Sequence, residues 1–176
     1  DAGQTQVRLR METGTRLERT EEATLELLKI AEQIVGEENI DISSAFVGTQ
    51  PSSFPVNLIH LWTSGQHEAV IRINLSKESG YQIDDFKEEL RKRFRERFAD
   101  ARISFEPGDL VDQILNLGST NPIELAILGK DLVASDKIAR QIQKKLEERN
   151  TFRDVQITTP LDYPGLKIDI DRVKAG

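Results

Sequence analysis

The sequence predicts an α+β fold: a tandem ferredoxin-like arrangement in which one βαββαβ subdomain is followed by a truncated βαββ half-subdomain. Three observations predict it. Val7-Arg8-Leu9-Arg10-Met11-Glu12 alternates apolar and polar residues without error, the period of a half-buried strand. Two later stretches repeat apolar residues at helical spacing, each followed by a further extended run. After the linker Gly118-Ser119-Thr120-Asn121-Pro122 the same β-α-β order begins again.

The elements follow in order. Thr13-Gly14 ends the first strand, and Thr15-Arg16-Leu17-Glu18 has capping-box spacing, a hydroxyl three residues before a carboxylate. Behind it Leu17, Thr24, Leu28, Ala31 and Val35 form one helical face, thickened by Leu27 and Ile34, and Gly36 is the expected terminator. Ile40-Asp41-Ile42-Ser43 resumes extended alternation. Residues 48–55 have loop chemistry, with Gly, Gln, Ser and Pro around Phe46 and Phe54. Val56 to Trp62 is apolar but ambiguous in period, a strand or an ordered loop arm, and Thr63-Ser64-Gly65-Gln66 reads as a tight turn.

Ala69, Ile71, Ile73 and Leu75 alternate with Val70, Arg72 and Asn74, a strand. Ile83, Phe86, Leu90, Phe94 and Phe98 mark the second helix, with Asp84 and Asp85 in its first turn and Arg95 and Arg97 in its last, the signs its dipole favours. Ala101 to Phe105 closes the βαββαβ order of the split pattern. Leu110 to Leu117 suggests a turn or two of helix. Beyond the linker, Ile123 to Leu128 reads as a strand. A helix follows with Ile138, Ala139, Ile142 and Leu146 inward, then strands at Val155 to Thr158 and Leu166 to Asp171. The expected boundaries are 1–121 and 122–176. A half-motif of this size buries little core by itself, so it should lean on the first unit or on another chain.

Composition narrows the function classes. The 176 residues are 38% hydrophobic and 31% charged, a globular composition. A formal charge of −6 argues against a general nucleic-acid or anionic-membrane binder. Without cysteine there is no disulfide scaffold, thiolate metal site or cysteine nucleophile. No apolar run approaches a membrane span. The start at Asp1-Ala2-Gly3-Gln4 reads as that of a fragment or processed product.

Chemistry-bearing clusters are sparse. His60 and His67 flank a turn without a convincing third ligand, so no metal site is expected. The basic run Arg91-Lys92-Arg93-Arg95-Arg97 is matched by Glu88 and Glu89 at i,i+4 spacing to Lys92 and Arg93, the pattern of a solvated helix face laced by ion pairs. Asp169 and Asp171 share a strand face about 7 Å apart, most simply an outward edge. No phosphate loop, nucleophile elbow or zinc-binding helix is present, so an enzyme is not expected. Arg8 and Arg10 point away from the helices. They are either ordinarily solvated or part of a cleft wall opposite a second sheet.

Two segments resemble a known family. Thr13-Gly14-Thr15-Arg16-Leu17-Glu18-Arg19-Thr20-Glu21 resembles the entry to the first porter helix of resistance–nodulation–division (RND) efflux permeases. Residues 154–176, with Leu161-Asp162-Tyr163-Pro164-Gly165 before Ile168-Asp169-Ile170-Asp171-Arg172, are similar to that family's strand, turn and second strand. The resemblance covers essentially the whole chain, as the second periplasmic half of the permease.

It implies a portion of an inner-membrane, proton-driven homotrimer of a Gram-negative-type bacterium, working with a periplasmic adaptor and an outer-membrane channel. Residues 1–121 and 122–176 would be neighbouring porter subdomains with a solute cleft between them, the second interrupted by the docking domain. Arg8, Arg10, Ile103 and Phe105 match cleft-facing positions. Gly48, Gln50, Pro51, Ser52, Ser53, Phe54 and Pro55 match a gating loop, with Phe54 its aromatic. The partner is a small-molecule efflux substrate, with no cofactor, no nucleic acid and no bond chemistry. The family's copper and silver branch uses methionines, and this chain has one, so metal export is not expected; Arg8 and Arg10 favour anionic or amphiphilic solutes. The competing expectation is a soluble tandem ferredoxin-like ligand-binding or regulatory module.

Overall fold

A computed structural model describes residues 3–49, 63–107, 123–149 and 151–158, together with positions 161, 168 and 170. Its first part runs β1 (Gln4–Arg10), α1 (Leu17–Val35), β2 (Ile40–Val47), β3 (Glu68–Leu75), α2 (Ile83–Arg97) and β4 (Arg102–Pro107). A further helix, α3 (Leu132–Glu147), follows. The strands form one antiparallel sheet in the order β2-β3-β1-β4.

The sequence periods explain this layout. Val7, Leu9, Ala69, Ile71, Ile73 and Leu75 line one face of the sheet, and both helices pack there. From α1 come Ala23, Leu27, Ile30, Ala31 and Ile34; from α2 come Phe86, Leu90 and Phe94. Burying a large apolar side chain contributes about 1.5–3 kcal/mol, so this single layer of contacts is the main source of stability. Phe98 stacks on Phe94 at a centroid distance of 5.2 Å, and the Arg19 guanidinium lies 4.9 Å from the Phe98 ring centroid. Gly36 closes α1 with φ of 89°, its N–H donating to the Glu32 carbonyl at 2.7 Å.

Several expectations need correction. The capping box does not form: α1 starts at Leu17 behind Arg16, and the Thr15 hydroxyl instead donates back to the Glu12 carbonyl at 2.7 Å. Thr15 is thus one residue too early to cap. A bulge between Ile40 and Ile42 also breaks the β2 alternation. Ile40 pairs with Leu75 and packs on the core, whereas Ile42 pairs with Asn74 on the opposite face, where it is 63% exposed.

In the later part of the chain, residues 123–128 and 155–158 are not strands. Helix α3 buries no residue, and Ile138, expected inward, is 49% exposed. The helix itself is well specified: the Asp131 carboxylate accepts the Val133 and Ala134 N–H groups at 2.9 and 3.1 Å. No helix among the described residues is long and apolar enough to cross a membrane.

Candidate functional site

The face of the sheet turned away from the helices carries a row of Ile42, Asn74 and Gln4 at one end and three further, mainly polar cross-strand rows beside it. Ser44, Arg72, Gln6 and Glu106 form one row, and Phe46, Val70, Arg8 and Ser104 the next. Glu68, Arg10 and Arg102 form the third. This face is not plainly solvated. Glu68, Val70, Gln6 and Glu106 are all buried, and Arg8 and Arg10 side chains are only 11% and 19% exposed.

Hydrogen bonds link these groups into a network. The Arg72 Nε donates to Gln6 Oε1 at 3.0 Å, and Gln6 Nε2 donates to Glu106 Oε2 at 2.7 Å. Arg8 Nε closes on Glu106 Oε1 at 2.7 Å, with its Nη2 3.4 Å from Oε2. Arg10 Nε donates to Glu68 Oε1 at 2.5 Å and its Nη1 to the Ile157 carbonyl at 2.8 Å. The Ser64 N–H takes the other Glu68 oxygen at 2.7 Å. Burial pushes the Glu68 carboxyl up, but the Ser64 N–H and the Arg10 guanidinium outweigh it and hold it below the ordinary carboxylate range. Such pairs survive burial only because nearly every oxygen is bonded.

The expected cleft residues therefore separate. Arg8 and Arg10 lie on this outer face, but each is matched by a buried glutamate, so neither is an open cation. Ile103 and Phe105 do not share the face: they pair with Leu9 and Val7 and pack against the helix-side core. The alternation of β4 forces this, since Arg102, Ser104 and Glu106 take the other side. Sequence reasoning missed Glu68 and Glu106. Their signal was present in principle, an acid at an outward strand position directly opposite Arg10 and another beside Arg8, but it needs the strand register.

Of the expected gating loop, Gly48 is described and Gln50, Pro51, Ser52, Ser53, Phe54 and Pro55 lie outside the described residues, as does His60. Gly48 is buried with φ of 71°, and its N–H donates to the Glu68 carbonyl at 2.8 Å. Across the loop base the Thr63 hydroxyl donates to the Gly48 carbonyl at 2.7 Å. Gly48 and Thr63 are thus pinned together at one point beside the sheet. A recess of about 240 Å³ beside that point is lined by Gly14, Thr15, Thr49, Ser64, Gly65, Gln66 and His67. No group of three metal-ligating side chains occurs among the described residues.

No family model and no curated protein matches the sequence. Solved structures do. A heavy metal efflux pump in one crystal form superposes with a TM-score of 0.78 at 19% identity, covering 99% of this chain and 18% of that chain. A second crystal form of a heavy metal efflux pump gives 0.73 at 18% identity, again over 99% of this chain and 18% of that one. The fold is that of an efflux-pump segment. It agrees with the RND permease resemblance drawn from residues 13–21 and 154–176, and both neighbours are pumps rather than enzymes. The chain spans about a fifth of the length of these efflux pumps.

The basic run of α2 also differs from expectation. Glu89 pairs with Arg93 at 2.6 Å as its spacing implies, but Glu88 pairs with Arg91 and not with Lys92. Arg91 in turn reaches Asp154, far along the chain, in a two-point ion pair. The run is a solvated face from which Arg91 reaches Asp154 and Arg97 reaches Glu26 of α1 at 3.2 Å.

Proposed function

We propose that this chain is the substrate-admitting porter portion of a proton-driven RND-type efflux permease, with residues 1–121 as one ferredoxin-like porter subdomain and 122–176 as part of the next. The match of 99% of the chain to a segment of an efflux pump at TM-score 0.78 carries the reading. The permease would act as an inner-membrane homotrimer, its porter portion periplasmic, joined to an adaptor and an outer-membrane channel. A solute would pass unaltered between subdomains, and protonation elsewhere in the permease would bias their opening by rigid-body movement.

The outer face of the sheet is the proposed solute wall, with residues 48–55 as its gate. Recognition there would combine apolar contact with a few fixed polar groups, the usual make-up of a ligand site. The metal named for the neighbouring pumps is not carried over. The single methionine, Met11, is buried in the helix-side core, and the outer face presents guanidinium, carboxylate, amide and hydroxyl groups. The oxygens among these are hard donors and guanidinium is no ligand at all, so the face does not favour soft metal ions.

The test is accumulation of a panel of dyes, detergents and organic acids in cells expressing the full-length permease. Ser44→Trp, on the outer face, should raise accumulation of exported compounds at unchanged protein level. Leu25→Trp, on an exposed flank of α1, should leave it unchanged. Equal accumulation in the Ser44→Trp and parent cells would remove this face from the pathway.

A further inference from the structure

The outer face contains an unbalanced charge. Arg8, Arg10, Arg72 and Arg102 supply four guanidiniums, of which Arg102 reaches Glu147 of α3 at 3.4 Å, whereas Glu68 and Glu106 supply two carboxylates. Those two acids are committed: Glu106 to Arg8 and Gln6, Glu68 to Arg10 and the Ser64 N–H. Arg72 holds only Gln6, through its Nε at 3.0 Å, and among the described residues its two terminal nitrogens meet no acceptor. That bond holds the guanidinium by its inner edge and, among the described residues, leaves the outer fork open, the geometry that receives a carboxylate.

The surroundings add an apolar component. Arg72 stands opposite Ser44, in the row between those of Ile42 and Phe46. Neighbouring rows on one face are about 7 Å apart, within reach of one small amphiphile. Ile42 is on this face only because of the β2 bulge, and it is 63% exposed. Residue 157 touches the other side of the face, at Arg10.

We propose that Arg72, and neither Arg8 nor Arg10, is the anchor for an organic carboxylate whose apolar body lies along Ile42 and Phe46. The inference rests on the outer face being the solute wall, and it names the class of solute that wall selects: monocarboxylate amphiphiles. Gln6 is a positioning residue, because its amide is held by Glu106 on one side and turns its oxygen to Arg72 on the other.

The experiment is titration of the 176-residue chain with octanoate, with octylammonium as the charge control, reading backbone amide shifts. Octanoate should move the Ser44, Phe46 and Arg72 signals saturably, and octylammonium should not. Arg72→Gln should weaken octanoate about tenfold or more, the loss expected for hydrogen bonds to a charged group. Arg72→Lys, which keeps the charge without the fork, should fall between. Lys29→Gln on exposed α1 should change nothing. No saturable octanoate shift, equal binding of octylammonium, or unchanged affinity in Arg72→Gln would each overturn the proposal. Because binding is read on the isolated chain, its failure is distinct from failure of the export assay: either can fail while the other holds.

Discussion

Asp154 grips Arg91 at two points, Oδ1 to Nε at 2.8 Å and Oδ2 to Nη2 at 2.7 Å, joining residues 63 positions apart. The same carboxylate accepts the Phe105 N–H of β4 at 3.0 Å, and the Arg91 guanidinium lies 4.6 Å over the Phe105 ring. One side chain thus satisfies an N–H of an edge strand and ties residues 151–158 to α2. Asp154 adopts a left-handed backbone with φ of 55°, which aspartate tolerates better than most residues. Burial alone would lower the Arg91 pKa, but the Asp154 carboxylate outweighs it and holds the group more firmly protonated. Arg10 to the Ile157 carbonyl, Arg102 to Glu147 of α3 and Arg153 to Glu88 are further ties between the sheet-and-helix unit and residues 132–158.

Removing this grip should loosen the later segment without unfolding the sheet. Arg91→Ala and Asp154→Ala should each cost about 1.5–3 kcal/mol, and the double variant less than their sum. Hydrogen exchange should show the Phe105 amide deprotected in Asp154→Ala. Additive losses, or a protected Phe105 amide, would show that the pair carries no tertiary coupling.

Glu68 should make stability depend on acid. Its folded pKa lies below the unfolded value of about 4.3, so the unfolded state binds more protons in that range. The stabilisation is fully present above the unfolded value and is lost as pH falls through the folded one. The gap between the parent and Glu68→Gln in denaturant midpoint should therefore be wide near about pH 6 and narrow near about pH 3. A gap that is constant with pH would contradict the pairing with Arg10 and Ser64.

Glycine is required at the base of the long β2–β3 connection. A Cβ at Gly48 would stand 2.6 Å from Leu17 Cδ1, on a backbone of φ 71°. Leu17 is 38% exposed and can swing aside, so the backbone conformation sets the larger cost. Gly48→Ala should lower stability by about 1–2 kcal/mol in thermal or denaturant unfolding. A neutral result would mean that the loop base relaxes freely.

The core should behave as a single cooperative layer. Phe86 is fully buried between α2 and the sheet, and Phe86→Ala should cost about 3–5 kcal/mol in equilibrium unfolding. Ile138→Ala on the exposed face of α3 should cost well under 1 kcal/mol. Comparable losses would place α3 in the same packed core.

Local pattern made part of this legible. The alternation around Val7 and Ile71 and the helical faces at Leu27 and Phe94 placed four strands and two helices, because each of those stripes is buried by its own element's period. Ile42 misled because one bulged residue reverses a strand's faces, and a bulge leaves no clear mark in Ile40-Asp41-Ile42. Ile103 and Phe105 were misassigned for want of register: they alternate correctly, but the sequence does not say which side of β4 meets the helices. Arg91 with Asp154, and Arg8 with Glu106, are partners brought together only by the fold, so no spacing rule reaches them. The 123–128 and 155–158 stretches have strand composition but, among the described residues, no strand to pair with, and composition alone cannot supply a ladder.

The most direct test of the central reading is solute protection of the outer face in the full-length permease. The chain has no cysteine of its own, so Ser44→Cys and Leu25→Cys supply single reactive sites within it. Maleimide labelling would be timed with and without the compound those cells export most strongly. The solute wall predicts labelling of Ser44→Cys slowed severalfold by that compound, with Leu25→Cys unaffected. Equal labelling rates at Ser44→Cys with and without it would contradict the account.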